Sequence, residues 1–206
     1  MNPRAEVLAR IHAALDGAPV APPVPRDYDH SGAHPPGSAK AVELLTERVD
    51  DYRAQVHRVS AEQVPETLAG LLSQHRAVVV PADLPLSWAQ ACPGAVVDTQ
   101  LTTAELDEAD AVVTGCAVAI AVTGTIVLDA GVAQGRRALT LVPDHHVCVV
   151  HAEQVVTSVP EALARLDPLR PLTFISGPSA TSDIELQRVE GVHGPRTLDV
   201  LIVISP

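Results

Sequence analysis

Aromatic side chains are nearly absent from this chain of 206 residues: Trp88, Tyr28, Tyr52 and Phe174 make up 2% of it. A core must therefore be assembled from Val, Leu, Ile and Ala, and base stacking on successive rings has little to work with. Positive charge is scarce too. Lys and Arg number 14 against 25 Asp and Glu, which gives a formal net charge of -11 at pH 7. Neutralising phosphates requires clustered Lys and Arg, so a nucleic-acid surface is excluded. The three cysteines, Cys92, Cys116 and Cys148, form no C-x-x-C pair. That spacing is what an iron–sulfur or zinc site needs, so no cluster or metal cofactor is expected in this chain. Cys116 and Cys148 lie in apolar runs and read as small core residues, while Cys92, in a turn before Pro93, leaves a surface thiol open. No run reaches the roughly 20 apolar residues that span a bilayer. An odd cysteine count without an N-terminal apolar leader fits a reducing compartment, and the expectation is a cytoplasmic protein.

What is present is an ordinary globular balance, 47% hydrophobic and 19% charged. Residues 1–16 read as an N-terminal amphipathic helix, with Val7, Leu8, Ile11 and Leu15 at helical spacing. Residues 17–38 hold Pro22, Pro23, Pro25, Pro35 and Pro36 and few hydrophobes, the composition of a linker. Docking of the helix on its own domain is the simpler expectation for its apolar face. Residues 39–206 form the main domain. Four S/T-x-x-E/Q spacings mark helix starts there: Ser60 with Gln63, Thr102 with Glu105, Ser158 with Glu161 and Ser182 with Glu185. Short apolar runs alternate with these helices, including Ala77–Val80, Ala111–Cys116, Leu139–Val142, Val147–Val150, Leu172–Ile175 and Leu198–Ile204. The pattern predicts an α/β fold with a mixed, largely parallel sheet and helices on both faces. Strands on either side of Thr123-Gly124-Thr125 are expected to be antiparallel.

The most informative stretch runs from Leu172 to Arg196. An apolar run stops at Ser176-Gly177-Pro178-Ser179, and the Ser182 capping box follows, with Asp183, Ile184 and Glu185 in its first turn. Small residues after a strand and before a helix start leave backbone N–H groups able to face an anion. In open α/β sheets ligands bind beyond the carboxyl ends of strands, and this loop meets that rule by position. The residues alone leave a second reading open, a tight turn in which Gly177 and Pro178 merely fit the backbone.

These residues resemble the LUD-domain family and, within it, the lactate-utilization protein C branch. The resemblance runs in order through Thr123-Gly124-Thr125-Ile126-Val127-Leu128, Gly135-Arg136, Pro143-x-x-His146, Ser176-Gly177-Pro178-Ser179, Asp183-Ile184-Glu185 and Gly191-Val192-His193-Gly194-Pro195-Arg196. It implies a fold similar to the sugar-phosphate isomerase and CoA-transferase group. It also implies a role in oxidising L-lactate to pyruvate beside iron–sulfur partner proteins, which would hold the clusters. The family commonly carries Glu before the Thr-Gly turn, where Val122 stands here.

The candidate acid–base groups are Asp183, which a capping box does not use, and His193, set in a glycine-rich loop. Candidate ligand-binding residues are Thr123, Gly124, Thr125, Arg136, His146, Ser176, Gly177, Ser179 and Arg196. The two arginines could each grip a carboxylate through a bidentate fork, or pair at the surface. His145 and His146 are neighbours on a strand, so they point to opposite faces and only one can serve a given site. No spacing demands a metal. The functional expectation is a component of L-lactate utilization that binds a small anion, with a homo-oligomer possible. The alternatives are a stand-alone enzyme on a phosphorylated or CoA-linked molecule, or a small-ligand sensor.

Overall fold

Capped helical stretches alternate along the chain with continuous apolar runs, the signature of strands buried on both faces. The computed structural model describes residues 3–17, 22–27, 29–181, 189–190 and 194–204. Its helices are α1 (Pro3–Leu15), α2 (Ala39–Asp51), α3 (Val64–Leu71), α4 (Leu86–Ala91), α5 (Thr103–Asp107) and α6 (Val159–Leu163). Its strands are β1 (Gln55–Val59), β2 (Val78–Val80), β3 (Ala95–Val97), β4 (Ala111–Thr114), β5 (Val118–Ile120), β6 (Thr125–Leu128), β7 (His145–His151), β8 (Val155–Val156), β9 (Thr173–Ile175), β10 (Ala180–Thr181), β11 (Val189–Glu190) and β12 (Thr197–Val203). The boxes at Thr102 and Ser158 form as expected, each side chain accepting from the N–H three residues on.

Six strands make one parallel sheet in the order β1-β12-β7-β4-β2-β3. Alternation of side chains divides its residues between two cores. On one face Val113, Val147, Val149 and Leu201 pack beneath Val64, Leu68 and Leu72 of α3 and its flanks. On the other, Cys148, Val150, Val200 and Ile202 meet Ala41, Val42, Leu45 and Val49 of α2 together with Ile126 and Leu128. The α/β architecture with helices on both faces is thus as expected. The antiparallel pairings, however, lie outside it: β5-β6 and β6-β9 belong to a separate four-stranded sheet, β8-β5-β6-β9, with one face covered by Ala162 and Leu166, and β10 and β11 pair with each other. The turn between β5 and β6 is antiparallel, as the Thr-Gly spacing predicts.

Four expectations are corrected. Leu139–Val142 is not a strand: Arg137–Thr140 form a 3-10 turn, which sends Leu139 and Val142 into the cluster with Leu106 and leaves Leu141 exposed. That is i,i+3 spacing, which a strand cannot give. β9 does not join the parallel sheet but pairs antiparallel with β6 at the rim of the smaller one. Cys92 is no surface thiol: it is buried, its Sγ donates to the Trp88 carbonyl at 3.2 Å, and burial pushes the thiol up to about 11. Finally, α1 does not dock, since none of its residues is buried and Val7, Leu8, Ile11 and Leu15 all stay exposed. Among the described residues no helix is long and apolar enough to cross a membrane.

Candidate functional site

β9 ends at Ile175 and hands the chain to the Ser176–Ser179 loop, which is tied at three points. Ser176 Oγ lies 2.8 Å from Thr125 Oγ1 on β6. Gly177 adopts φ +79 against the end of α2, where a Cβ would sit 2.6 Å from Tyr52 Cβ, so a side chain has no room. The Ser179 N–H donates to the Pro195 carbonyl at 2.7 Å. Together these contacts build one wall of a cavity of about 230 Å³, with Phe174, Gly194 and Pro195 on its rim. His146 also lines it, almost fully buried, with Nε2 2.8 Å from the Thr114 hydroxyl. Neither Lys nor Arg is among the described lining residues, so any anion there would rely on hydroxyls, backbone N–H groups and His146.

The expected site residues divide accordingly. His146, Ser176, Gly177 and Ser179 line the cavity, and Thr125 joins them only through its hydroxyl contact with Ser176. Thr123 and Gly124 do not face the cavity: Gly124, at φ +59, lies against the Arg48 backbone of α2, and the Thr123 hydroxyl is buried without a partner among the described residues. Arg136 has its fork already filled. Its Nε and Nη2 donate to Asp98 at 2.8 and 3.0 Å, and Nη2 also reaches the Leu101 carbonyl. The Arg136 hydrogen bonds in turn hold the Asp98 carboxyl below its ordinary value. Arg196 points to another surface, 3.2 Å from Asp144. Asp183 and His193, and with them Ser182, Ile184, Glu185, Gly191 and Val192, lie outside the described residues.

A second cavity, of about 460 Å³, opens where the carboxyl ends of β4 and β7 meet the loop that follows β6. Sequence reasoning missed it. Its wall includes Gly115, Cys116, Asp129, Gln134 and Arg170, and Trp88 stacks on His151 at its edge with ring centroids 6.0 Å apart. Asp129 is buried but well supported. It accepts from Arg170 Nη1 at 3.0 Å and from the Gly131 N–H at 3.0 Å, and its own N–H donates to Gln134 Oε1 at 2.6 Å. The same loop holds Ala130 and Ala133 at φ 54 and 59, beside Gly135 at 66. A left-handed alanine costs roughly 1–2 kcal/mol and persists only where surroundings enforce it, a trait of functional loops. Here the Ala133 carbonyl is held by the Gly115 N–H at 2.7 Å. The one signal in the sequence was Gly131 and Gly135 directly after an apolar strand. Among the described residues no three His, Cys, Asp or Glu side chains gather as for a metal ion.

Residues 94–203, which hold the described lining of the first cavity and all but Pro85 and Trp88 of the second, match the family model described as the LUD domain. "Lactate utilization protein C" of Deinococcus radiodurans is 47% identical to this chain over 205 residues, covering 96% of this chain and 94% of that protein. A Bacillus pumilus protein of the same name is 38% identical over 84 residues, 37% of this chain and 35% of its own length. Among solved structures, the crystal structure of a DUF162 family protein from Deinococcus radiodurans superposes with a TM-score of 0.69 at 42% identity, covering 80% of this chain and 97% of that one. With a domain match across half its length and a relative alike from end to end, the chain belongs to the LUD-domain family.

Proposed function

We propose that this chain serves lactate utilization, as a component of the oxidation of L-lactate to pyruvate that works beside iron–sulfur partner proteins. The observation that carries the reading is the 47% identity, over 96% of this chain, to a protein named lactate utilization protein C. The three cysteines support a division of labour: Cys92 is buried in one core while Cys116 and Cys148 meet side chain to side chain in the other, and a single pair falls short of the four ligands a cluster takes. The small anion of this reading occupies the cavity beside Ser176–Ser179. Ligand pockets ordinarily span about 300–1,000 Å³, so about 230 Å³ suits a three-carbon hydroxy acid far better than a nucleotide or CoA ester. His146 would orient the substrate there, together with the loop hydroxyls.

The test is genetic and biochemical together. A strain lacking this chain should lose growth on L-lactate and recover it with the chain restored, and affinity purification should bring down iron–sulfur proteins. Unimpaired growth on lactate would sink the reading.

One observation favours a second reading, an enzyme acting on a phosphorylated or CoA-linked small molecule. The larger cavity lies at the carboxyl edge of a parallel sheet, the usual ligand position in such folds, and carries Arg170 and Arg165 on its wall. Specific thermal stabilisation by inorganic phosphate or CoA, abolished by Arg170→Gln, would favour it over the first.

A further inference from the structure

A chain of three histidines and one aspartate runs through the amino end of the parallel sheet, on the face covered by α3 and away from both cavities described above. Asp199 of β12 is 3% exposed and receives two imidazoles, His57 Nε2 of β1 at 2.6 Å and His145 Nε2 of β7 at 2.7 Å. Parallel register makes this possible: Asp199 sits opposite Gln55 and Val147, so His57 and His145 approach it from two residues away on either side. A third imidazole follows. His75, in the turn after α3, places Nε2 2.9 Å from His145 Nδ1, the rings meeting edge to face. His75 and His145 open on a crevice of about 720 Å³ with an acidic rim. Asp107 and Glu108 at the end of α5, Asp110 before β4 and Asp144 before β7 all face it, and Arg196 is paired with Asp144. Asp110 is itself held by the N–H groups of Arg76 and Ala77, at 2.6 and 3.0 Å.

Hydrogen-bond chemistry fixes the protons. His145 gives Nε2–H to Asp199, so its Nδ1 is bare and accepts from His75 Nε2–H, which leaves His75 Nδ1 as the open base. A first proton on His75 Nδ1 breaks nothing, and the charge sits near Asp110 and Asp199. A second, on His145 Nδ1, would set two N–H groups against each other. His57 can take its proton without losing Asp199, so it does not share this conflict. Burial and the neighbouring His145 already hold the His75 imidazole below its ordinary value.

We propose that the His75–His145–Asp199 chain is an acid-operated latch: it stores one proton, and a second breaks the His75–His145 contact and frees the turn after α3 from the sheet, widening the amino-edge crevice. Beyond that turn the chain stays tied through the Arg76 and Ala77 bonds to Asp110, and the His75 N–H bond to the Leu72 carbonyl, 2.9 Å, which closes the turn itself, supplies a local reporter.

The experiment is a side-chain NMR titration of the full chain from about pH 8 to about pH 4, with amide exchange at His75 followed in parallel and corrected for intrinsic pH dependence. His75 and His145 should titrate as a coupled pair in two steps separated by more than about one pH unit. Exchange at the His75 amide should rise about tenfold across the second step. In His75→Gln, His145 should show one step and the exchange rise should vanish. Independent single steps in the wild type, or an undiminished exchange rise in His75→Gln, would overturn the latch.

Discussion

Gly124 is the residue where backbone freedom and close packing coincide. At φ +59 it already stands where an L side chain is strained, and an added Cβ would lie 2.9 Å from the Arg48 backbone of α2. Left-handed strain and overpacking together should make Gly124→Ala destabilising by about 2 kcal/mol or more, read from the urea midpoint. The motif therefore serves packing of the small sheet on α2, a role that spacing alone could not separate from ligand contact. Arg136 teaches the same lesson. Its fork was legible as a carboxylate binder, but the carboxylate is Asp98, 38 residues away in sequence. Removing it in Arg136→Ala should cost about 1.5–3 kcal/mol at neutral pH. The sign of the pH dependence follows from Asp98, whose carboxyl is held below its ordinary value by Arg136. The difference between wild type and variant should be full above the ordinary carboxylate range and shrink as pH falls through the depressed value. Unfolding curves at a series of pH values would show a constant difference if the pair were unimportant.

At the scale of elements, local rules were readable and long-range pairing was not. The boxes at Thr102 and Ser158 announced α5 and α6 because a cap is settled within four residues. The membership of β9 was hidden, because an apolar run of three or four residues looks the same in either sheet. The His57–Asp199 bond spans 142 residues and exists only through parallel register, so no spacing could reveal it. The strain at Ala130 and Ala133 left no mark in residue type at all. α1 is the opposite case: its periodicity was plain, but its destination was not. Since it contributes no buried residue, deleting residues 1–17 should leave the urea midpoint of the remainder unchanged. Sedimentation should also show weaker self-association once the exposed Val7, Leu8, Ile11 and Leu15 are gone. A substantial drop in midpoint would mean that the helix packs on the domain after all.

For the whole molecule, acid is the vulnerable side. Asp199 stays below its ordinary value because the hydrogen bonds from His145 and His57 outweigh its burial, and Asp110 does so through the N–H groups of Arg76 and Ala77. Groups with depressed values stabilise the native state above their ordinary range and lose that contribution as pH falls through the folded value. The His75 imidazole, also depressed, adds a loss that begins higher, near the ordinary histidine range. Stability measured by urea unfolding should therefore decline in two stages on acidification, first for the histidine and then for the carboxylates. A flat profile down to about pH 5 would contradict the first stage. The place of β12 carries a different consequence. It lies between β1 and β7, and β1 has no other partner in the sheet. During synthesis β1 leaves the ribosome early and waits for a neighbour that is translated about 140 residues later. Until then its ladder groups are open to the wrong strand, so a nascent chain of this protein should depend on chaperones longer than its size suggests.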